Sequence, residues 1–583
     1  MKKTIILLLM LALSQFIFAQ KNNSITFEKA SLDINNIKAN INANGNLFYR
    51  AADTSDYELG FEFPMGSGKH TMLNSTLWIG GLDENDKLRL AGELYNLVGH
   101  DYWNGPLSVD NGWVSCSETT ANQWNKVWKL SAEEIAWHIQ HYGDWGYIPT
   151  EHIATWPAHG DINLNQSANL APFVDVDNDQ IYNPMNGDYP LIKGDQCIYF
   201  IFNDVKHHSE SNGDSLGLEI HGMAYAFNST ESEAINSTIF VNYKIYNRSN
   251  NEYHDTYIGA FADMDIGYFL DDYFATEVQL GAIYQYNGDG FDEGESGYGS
   301  NPPAQAMALL AGPLMIENNL DDPSGGCDAS INGTGFGDGI VDNERLGLTG
   351  SSRINNDIYI NGLPHVAQEY YNILSGKNID GQDNLVFCDD SLTTVPCKFV
   401  QPANSDPCYW GIGGQICPVY ANWSDETGNG GFPNPPGERS GVAISGPFTF
   451  KANSVQNVDL AFVSARDFSD SNSVALLKSY LSEIKNAFNT NPKGFGDNYV
   501  GIHQNKNELG QLFAFPNPAK EYLTLSKTVN HENEFVILDS FGRVIKKGKV
   551  TTNLIPVSEL KPGIYSLTIK SRTEVKAIKF VKE

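Results

Sequence analysis

Three stretches of this chain space their carboxylates so that several could share one hard cation. Asp175-Val-Asp177-Asn-Asp179 sets acids at alternate positions, so three can turn inward together. Asn332-Gly-Thr-Gly-Phe-Gly-Asp338-Gly-Ile-Val-Asp342-Asn-Glu344 offers Asp338, Asp342 and Glu344. Asp263-Met-Asp265 is followed closely by Asp271-Asp272. Calcium takes roughly six to eight oxygen ligands and accepts flexible loops, so calcium is the cofactor these stretches imply. The competing readings are turns closed by Asx hydrogen bonds and, for the third set, polar residues at a sheet rim.

The first loop resembles the start of an EF-hand-like or thrombospondin-like loop. It departs at the sixth position, where Gln180 replaces Gly, and at the twelfth, where Asn186 replaces a bidentate Glu. Asp188 is placed to compensate. The Asp-Gly-x-x-Asp-x-Glu core of the second loop resembles dockerin-type calcium loops without their full spacing.

Enzyme motifs mostly fail on context. Gly213-Asp-Ser215-Leu-Gly217 has nucleophile-elbow spacing, but His207-His-Ser-Glu-Ser-Asn212 stands where a hydrophobic strand is needed. Gly66-Ser-Gly68-Lys69-His-Thr71 echoes a phosphate loop, but Phe63 stands where its first Gly belongs. Glu134, His138 and His141 share a helical face that could hold zinc, but no His-Glu-x-x-His motif occurs and His138 beside Trp137 reads as a packed helix residue. His207-His208 reads as a polar turn. A glycosidase needs two facing carboxylates, and among 70 acidic residues some pair meets that condition by chance. The many Trp and Tyr read as core and strand residues, with a sugar-binding platform as the alternative.

These residues need a scaffold, and the pattern of the chain points to strands. Leu77-Trp-Ile-Gly-Gly81 and Leu88-Arg-Leu-Ala-Gly92 flank an acidic turn. Cys197–Phe202, Ile220–Phe227, Thr238–Tyr246 and Val455–Ser464 are rich in β-branched and aromatic residues. Ser131-Ala-Glu-Glu134 is a capping box ahead of a helix to about Tyr142, and Val474, Leu477, Leu481, Ile484 and Phe488 stripe a second helix. Residues 287–440 are loop-heavy, with many Gly and Pro. The fold class is therefore mainly β: one or two β-sandwich modules with long loops, few helices, and strands with one buried and one wet face.

A length of 583 residues calls for more than one domain. The expected order is a signal peptide at 1–19, an acidic β-rich body at 20–490 with a potential break near 190, a linker at 491–512 and a small β-domain at 513–583. Lys2 and Lys3 precede the apolar run Ile5–Leu13, which suits a cleaved signal and is too short for a transmembrane segment.

Charge separates the parts. The net charge is −32; residues 513–583 hold twelve Lys+Arg against seven Asp+Glu, and the signal adds +2, which leaves −39 on residues 21–512. Such a body repels nucleic acid and anionic membrane. Its seven Cys include a cluster at Cys388, Cys397, Cys408 and Cys417, read as disulfides in an exported protein. Pairing of neighbours, Cys388–Cys397 and Cys408–Cys417, is the simplest expectation, and the odd total leaves a free or intermolecular thiol.

The terminal domain has short strands at 522–525, 534–538, 543–546, 554–556, 563–570 and 574–581, an Ig-like sandwich by strand count. Its Pro516-Asn517-Pro518 opening, Phe541-Gly542-Arg543-Val544 turn, Leu560-Lys-Pro562-Gly563-Ile-Tyr565 element and Lys-rich last strand resemble the type A sorting domain of type IX secretion. The resemblance implies a Gram-negative bacterial protein. It implies passage through the type IX machinery as partner, removal of the tail, and release or anchoring at the outer cell surface. The body resembles proteins that carry the same tail, through Leu77–Gly81, Asp175–Asp179 with Gly187–Pro190, and Gly337–Glu344, a kinship that supplies no activity. The sequence thus favours a secreted or surface, non-enzymatic β-protein with calcium-stabilised loops that serves in adhesion or ligand binding, with a glycan or surface protein as its ligand. The alternative is an extracellular hydrolase of polysaccharide or peptide, for which no catalytic residue stands out.

Overall fold

A computed structural model describes residues 27–49, 59–95, 99–327, 330–355, 360–388, 393–469, 472–490, 514–515, 518–525, 534–539, 543–550, 552–570 and 575–583. The expected signal at 1–19 and linker at 491–512 lie outside these residues. Contacts divide the chain into two compact units, Met1–Gly501 and Ile502–Glu583.

The first unit is a β-sandwich of antiparallel sheets. The larger has nine strands, in the order Asp272–Glu277, Ala282–Asn287, Ala304–Ala311, Val455–Ala465, Thr238–Asn247, Leu218–Ala226, Gln196–Asn203 and Trp103–Asn104, with Trp128–Ser131 also paired to Gln196–Asn203. The smaller has five, ordered Gly350–Ile354, Ser440–Phe450, Tyr253–Asp263, Asn74–Leu82 and Leu88–Gly92. Strands from both sides of position 190 share both sheets, so the potential break there does not cut the sandwich.

Period-two alternation sorts the side chains of each strand. Ile198, Phe200 and Phe202 join the core between the sheets, with Leu77, Ile79, Ile258 and Ala443 from the smaller one. Cys197, Tyr199 and Ile201 point the other way and are also buried. The expected wet face is therefore absent from these central strands. Helix Ser473–Thr490 covers this face over Ala304–Ala311 and Val455–Ala465, with Leu477, Leu481, Ile484 and Phe488 joining Phe240, Ala461 and Val463, while Trp156 packs on Tyr199 at 5.1 Å between centroids. Each such side chain stabilises the fold by about 1.5–3 kcal/mol when fully buried.

Helix Ala367–Leu374 covers the smaller sheet in the same way. Trp78 stacks on Phe261 at 5.4 Å between centroids and meets the edge of Tyr370 at 4.6 Å. The helix sits close because Gly259 leaves room; a Cβ there would collide with Leu374 and Val442. This helix, and strands Ala304–Ala311 and Gly350–Ile354, fall in the stretch that composition marks as loop-heavy. Ala304–Ala311 has no β-branched residue, and the helix is too short to display a clear period.

The cysteine pairing differs from the expectation. Cys327 joins Cys408, with Cα atoms 5.4 Å apart, and Cys388 joins Cys417, with Cα atoms 4.9 Å apart. Leu385–Phe387 and Thr394–Pro396 form a hairpin, and the amide of Cys388 bonds Thr393 while that of Cys397 bonds Asn384. Cys388 and Cys397 therefore stand at opposite ends of the hairpin and cannot meet. Cys397 stays free and buried, as does Cys197; Cys116 is free and half-buried.

The second unit packs seven strands into two sheets. One holds Ala514–Phe515, Tyr522–Leu525 and Leu554–Pro556; the other holds Val544–Lys549, Glu534–Asp539, Gly563–Lys570 and Val575–Lys582. Leu523, Leu525, Phe535, Ile537, Leu567, Ile569 and Phe580 form its core, so the sandwich expected from strand count is present. The Tyr565 hydroxyl donates to Lys561 O at 2.9 Å and pins the turn through Pro562 and Gly563. Pro518 is exposed at the strand approach, while Pro516, Asn517 and Gly542 lie outside the described residues. Among the described residues of the whole chain, no helix is long and apolar enough to cross a membrane.

Candidate cation loops and cavities

A two-residue ladder, Phe173–Val174 with Tyr189–Pro190, closes the first acidic loop. Within it, ligand atoms of Asp175, Asp177, Asp179 and Asp188 all lie within 4.8 Å of one another. Main-chain amides aim these carboxylates. Asp175 accepts from Asp179 N at 3.2 Å and Gln180 N at 2.8 Å, and Asp179 from Ile181 N at 2.7 Å. Buried Asp188 accepts from Val176 N and Asn183 N, both at 2.8 Å. Asn186 does not replace the missing Glu as a ligand; its amide donates to Asp177 at 2.9 Å. Gln180 adopts φ +66°, the left-handed conformation that an EF-hand assigns to Gly at that position. The residue that breaks the pattern keeps its geometry, and Asp188 supplies the fourth acid.

Four like charges this close repel by about 1 kcal/mol per pair in water and about 4 kcal/mol at an effective dielectric near 20. A divalent cation reverses the sign of that energy.

The second loop is organised differently. Asp342 accepts from Asn318 N at 2.7 Å and Asn319 N at 2.9 Å, and Glu344 from Asp322 N at 2.6 Å. Asp338 accepts from Ile340 N and from the Asn343 amide. In return Asp321 accepts from Gly337 N and Gly339 N, both at 2.8 Å. These acids staple two segments together instead of gathering at one point. Among the described residues, the 175–188 loop is the one group of three or more His, Cys, Asp or Glu with that close mutual spacing. Sequence reasoning missed Asp321 and Asp322, which belong to a separate stretch.

In the third set Asp263 and Asp272 are buried, and Asp265 and Asp271 are half-buried. Asp263 and Asp272 are each 1% exposed, so neither is a solvated rim residue. Burial and then the charge of Glu438 push Asp263 up to about 7, against the Tyr95 hydroxyl that donates to it at 2.8 Å. Burial likewise pushes Asp271 to about 7 and Asp272 well above the usual range.

The remaining motifs are occupied structurally. Gly68 N donates to Glu62 at 2.7 Å and Lys69 Nζ to Glu295 O at 2.6 Å, so the groups a phosphate would need are taken. A strand, Leu218–Ala226, follows Ser215 where an elbow requires a helix. His138 is buried in its helix, as expected, and His141 bonds Asp144 at 2.6 Å. His208 is not a polar turn residue; it is buried between the carbonyls of Leu90, at 2.7 Å, and Asp204, at 2.6 Å.

Three cavities bear on function. One of about 70 Å³ lies on the outer face of the larger sheet, lined by Lys193, Tyr199, His221, Asn242 and Lys244 among others. His221 bridges Tyr199, at 3.0 Å, and Glu219, at 2.9 Å, and Arg248 pairs with that Glu at 2.6 Å. Burial holds the Tyr199 hydroxyl well above its ordinary range, so it serves as a hydrogen-bonding group and not as a nucleophile. An open cleft of about 440 Å³ runs beside helix Ala132–His141, lined by Glu133, Glu134, Trp137 and Gln140. A third, of about 30 Å³, lies near Lys398 and Leu374. None of the carboxylates with raised values lines these three.

Comparison with known proteins locates one family. Residues 514–583 match the secretion system C-terminal sorting domain. A comparison with curated proteins finds no match. Among solved structures, PorZ of Porphyromonas gingivalis, described as an essential bacterial surface component of the type-IX secretion system, aligns at 10% identity. That alignment covers 95% of this chain and 75% of PorZ with a TM-score of 0.13, too weak to inform the body. Residues 514–583 are thus a type IX secretion C-terminal sorting domain, and the protein is a cargo of that system, addressed to the cell surface or beyond.

Proposed function

We propose that the exported body is a non-enzymatic binding protein, stiffened by calcium in the 175–188 loop, that engages a glycan or surface protein outside a Gram-negative cell. The observation that carries the calcium reading is the convergence of Asp175, Asp177, Asp179 and Asp188 within 4.8 Å. The ligand face is the open cleft beside helix Ala132–His141. Trp137 is 60% exposed there, an aromatic surface on which a sugar ring stacks, with Glu133, Glu134 and Gln140 as hydroxyl partners. A hydrolase is less well supported, because the carboxylates with raised values are buried away from the three cavities.

Thermal melts of the purified protein test the calcium reading. Excess calcium at about 100 times its Kd adds about 2.7 kcal/mol, EDTA removes it, and Asp177→Asn with Asp179→Asn abolishes most of the response. A midpoint indifferent to both reagents refutes the reading. A glycan array with wild type and Trp137→Ala tests the ligand face. Deletion of 514–583 should leave the body inside the outer membrane; unchanged surface display would contradict the export route. Removal of the signal at the inner membrane, through cleavage near Ala19, is read from N-terminal sequencing of the exported protein.

A further inference from the structure

A row of buried oxygens crosses one end of the smaller sheet. Asn74 lies opposite Asp263 in the register of their two strands. On the other side of Tyr253–Asp263, Ala262 pairs with Gly441, which places Ser440 beside Asp263. Directly opposed residues project from the same face. That face is the outer one, because Trp78, Phe261, Val442 and Ile444, in step with these three, pack under helix Ala367–Leu374.

Asn74 is 0% exposed, and Asp263 and Ser440 are 1% exposed. Asn74 Oδ1, Asp263 Oδ1 and Ser440 Oγ nevertheless have no hydrogen-bond partner. A buried polar atom left unpaired costs about 1–3 kcal/mol, and three on adjacent strands call for one shared partner. The amide and hydroxyl are independent of the acids, so this is more than a patch of negative charge. Two further carboxylates close the site. Asp265 follows in the turn, and Glu438 lies just before strand Ser440–Phe450. Both are half-buried, which leaves a path from solvent.

We propose that a calcium ion binds here among Asn74, Asp263, Asp265, Glu438 and Ser440, a second site separate from the 175–188 loop. Every donor is a hard oxygen, the set mixes carboxylate, amide and hydroxyl groups, and waters complete the shell. The three carboxylates do not reach the mutual spacing of the first loop; the neutral oxygens of Asn74 and Ser440 fill the set. Tyr95 donates to Asp263 and orients the carboxylate that bears the free oxygen.

Terbium luminescence on the full chain tests the proposal. Asp177→Asn with Asp179→Asn first disables the other loop. The expected result is tyrosine- or tryptophan-sensitised emission that saturates at one equivalent and is displaced by calcium. Asp265→Asn should weaken binding at least tenfold, and Asp338→Asn should leave it unchanged. Should Asp265→Asn fail to fold, Glu438→Gln, at the half-buried edge, must produce the same weakening. Absence of saturable emission from the loop-disabled protein with a native circular dichroism spectrum overturns the proposal, as does emission untouched by Asp265→Asn or Glu438→Gln.

Discussion

His138 Nε2 donates to the main-chain oxygen of Asp188 at 3.0 Å, and so ties helix Ala132–His141 to the acidic loop. The carbonyl can only accept, which fixes the proton on Nε2 and leaves Nδ1 to accept from the Tyr147 hydroxyl at 2.9 Å. Burial lowers the imidazole below its ordinary value and favours this neutral form. His138→Phe keeps the ring volume and strands both partners, at a cost of about 1–3 kcal/mol. Calcium titration of that variant should show weaker binding at the 175–188 loop, since Asp188 loses its anchor. Unchanged affinity would mean the helix does not position the loop.

The bridges Cys327–Cys408 and Cys388–Cys417 are open to peptide mapping under non-reducing conditions. Cys417→Ser should lower stability by about 2–4 kcal/mol and leave Cys388 as a free thiol. Cys397→Ser should leave both bridges intact. Recovery of a Cys388–Cys397 peptide from the native protein would contradict the hairpin register.

Glu210 is 6% exposed and accepts from Leu94 N at 2.6 Å. Burial, then the nearby charge of Asp101, pushes its carboxyl up to about 7. The folded value is raised above the unfolded one. Its stabilising contribution is therefore complete below the ordinary range near 4.5 and is lost as pH rises through about 7. Glu93, buried beside Glu210 and Asp101, is raised as well and acts with the same sign. Glu210→Gln should thus gain about 2–3 kcal/mol over wild type at pH 8 and little at pH 4, read by urea unfolding at both values. An equal effect at both pH values would show that ionisation of Glu210 is not involved.

Gly259 lets Leu374 approach the smaller sheet. Gly259→Val should displace helix Ala367–Leu374 and cost about 1–3 kcal/mol, as overpacking does. Hydrogen exchange should report faster opening of that helix, with helix Ser473–Thr490 on the other sheet unaffected. Equal loosening of both helices would show that the sandwich responds as one cooperative unit.

Sequence alone determined whatever rests on short-range spacing. The sorting tail is readable because its turns and strands follow one another within about 70 residues, each set by local Pro, Gly and alternation rules. Asp175, Asp177 and Asp179 are readable because three acids at alternate positions within five residues can turn toward one another in a tight turn. The principal strands announce themselves by β-branched and aromatic content. Tertiary structure alone decided which distant residues meet. Cross-strand register sets Asn74, Asp263 and Ser440 side by side, and nothing in their sequence separation implies it. Hairpin register likewise sends Cys388 to Cys417 instead of Cys397. The burial of both sheet faces depended on helices docked from elsewhere in the chain, because alternation shows which side chains share a face and not what will cover them.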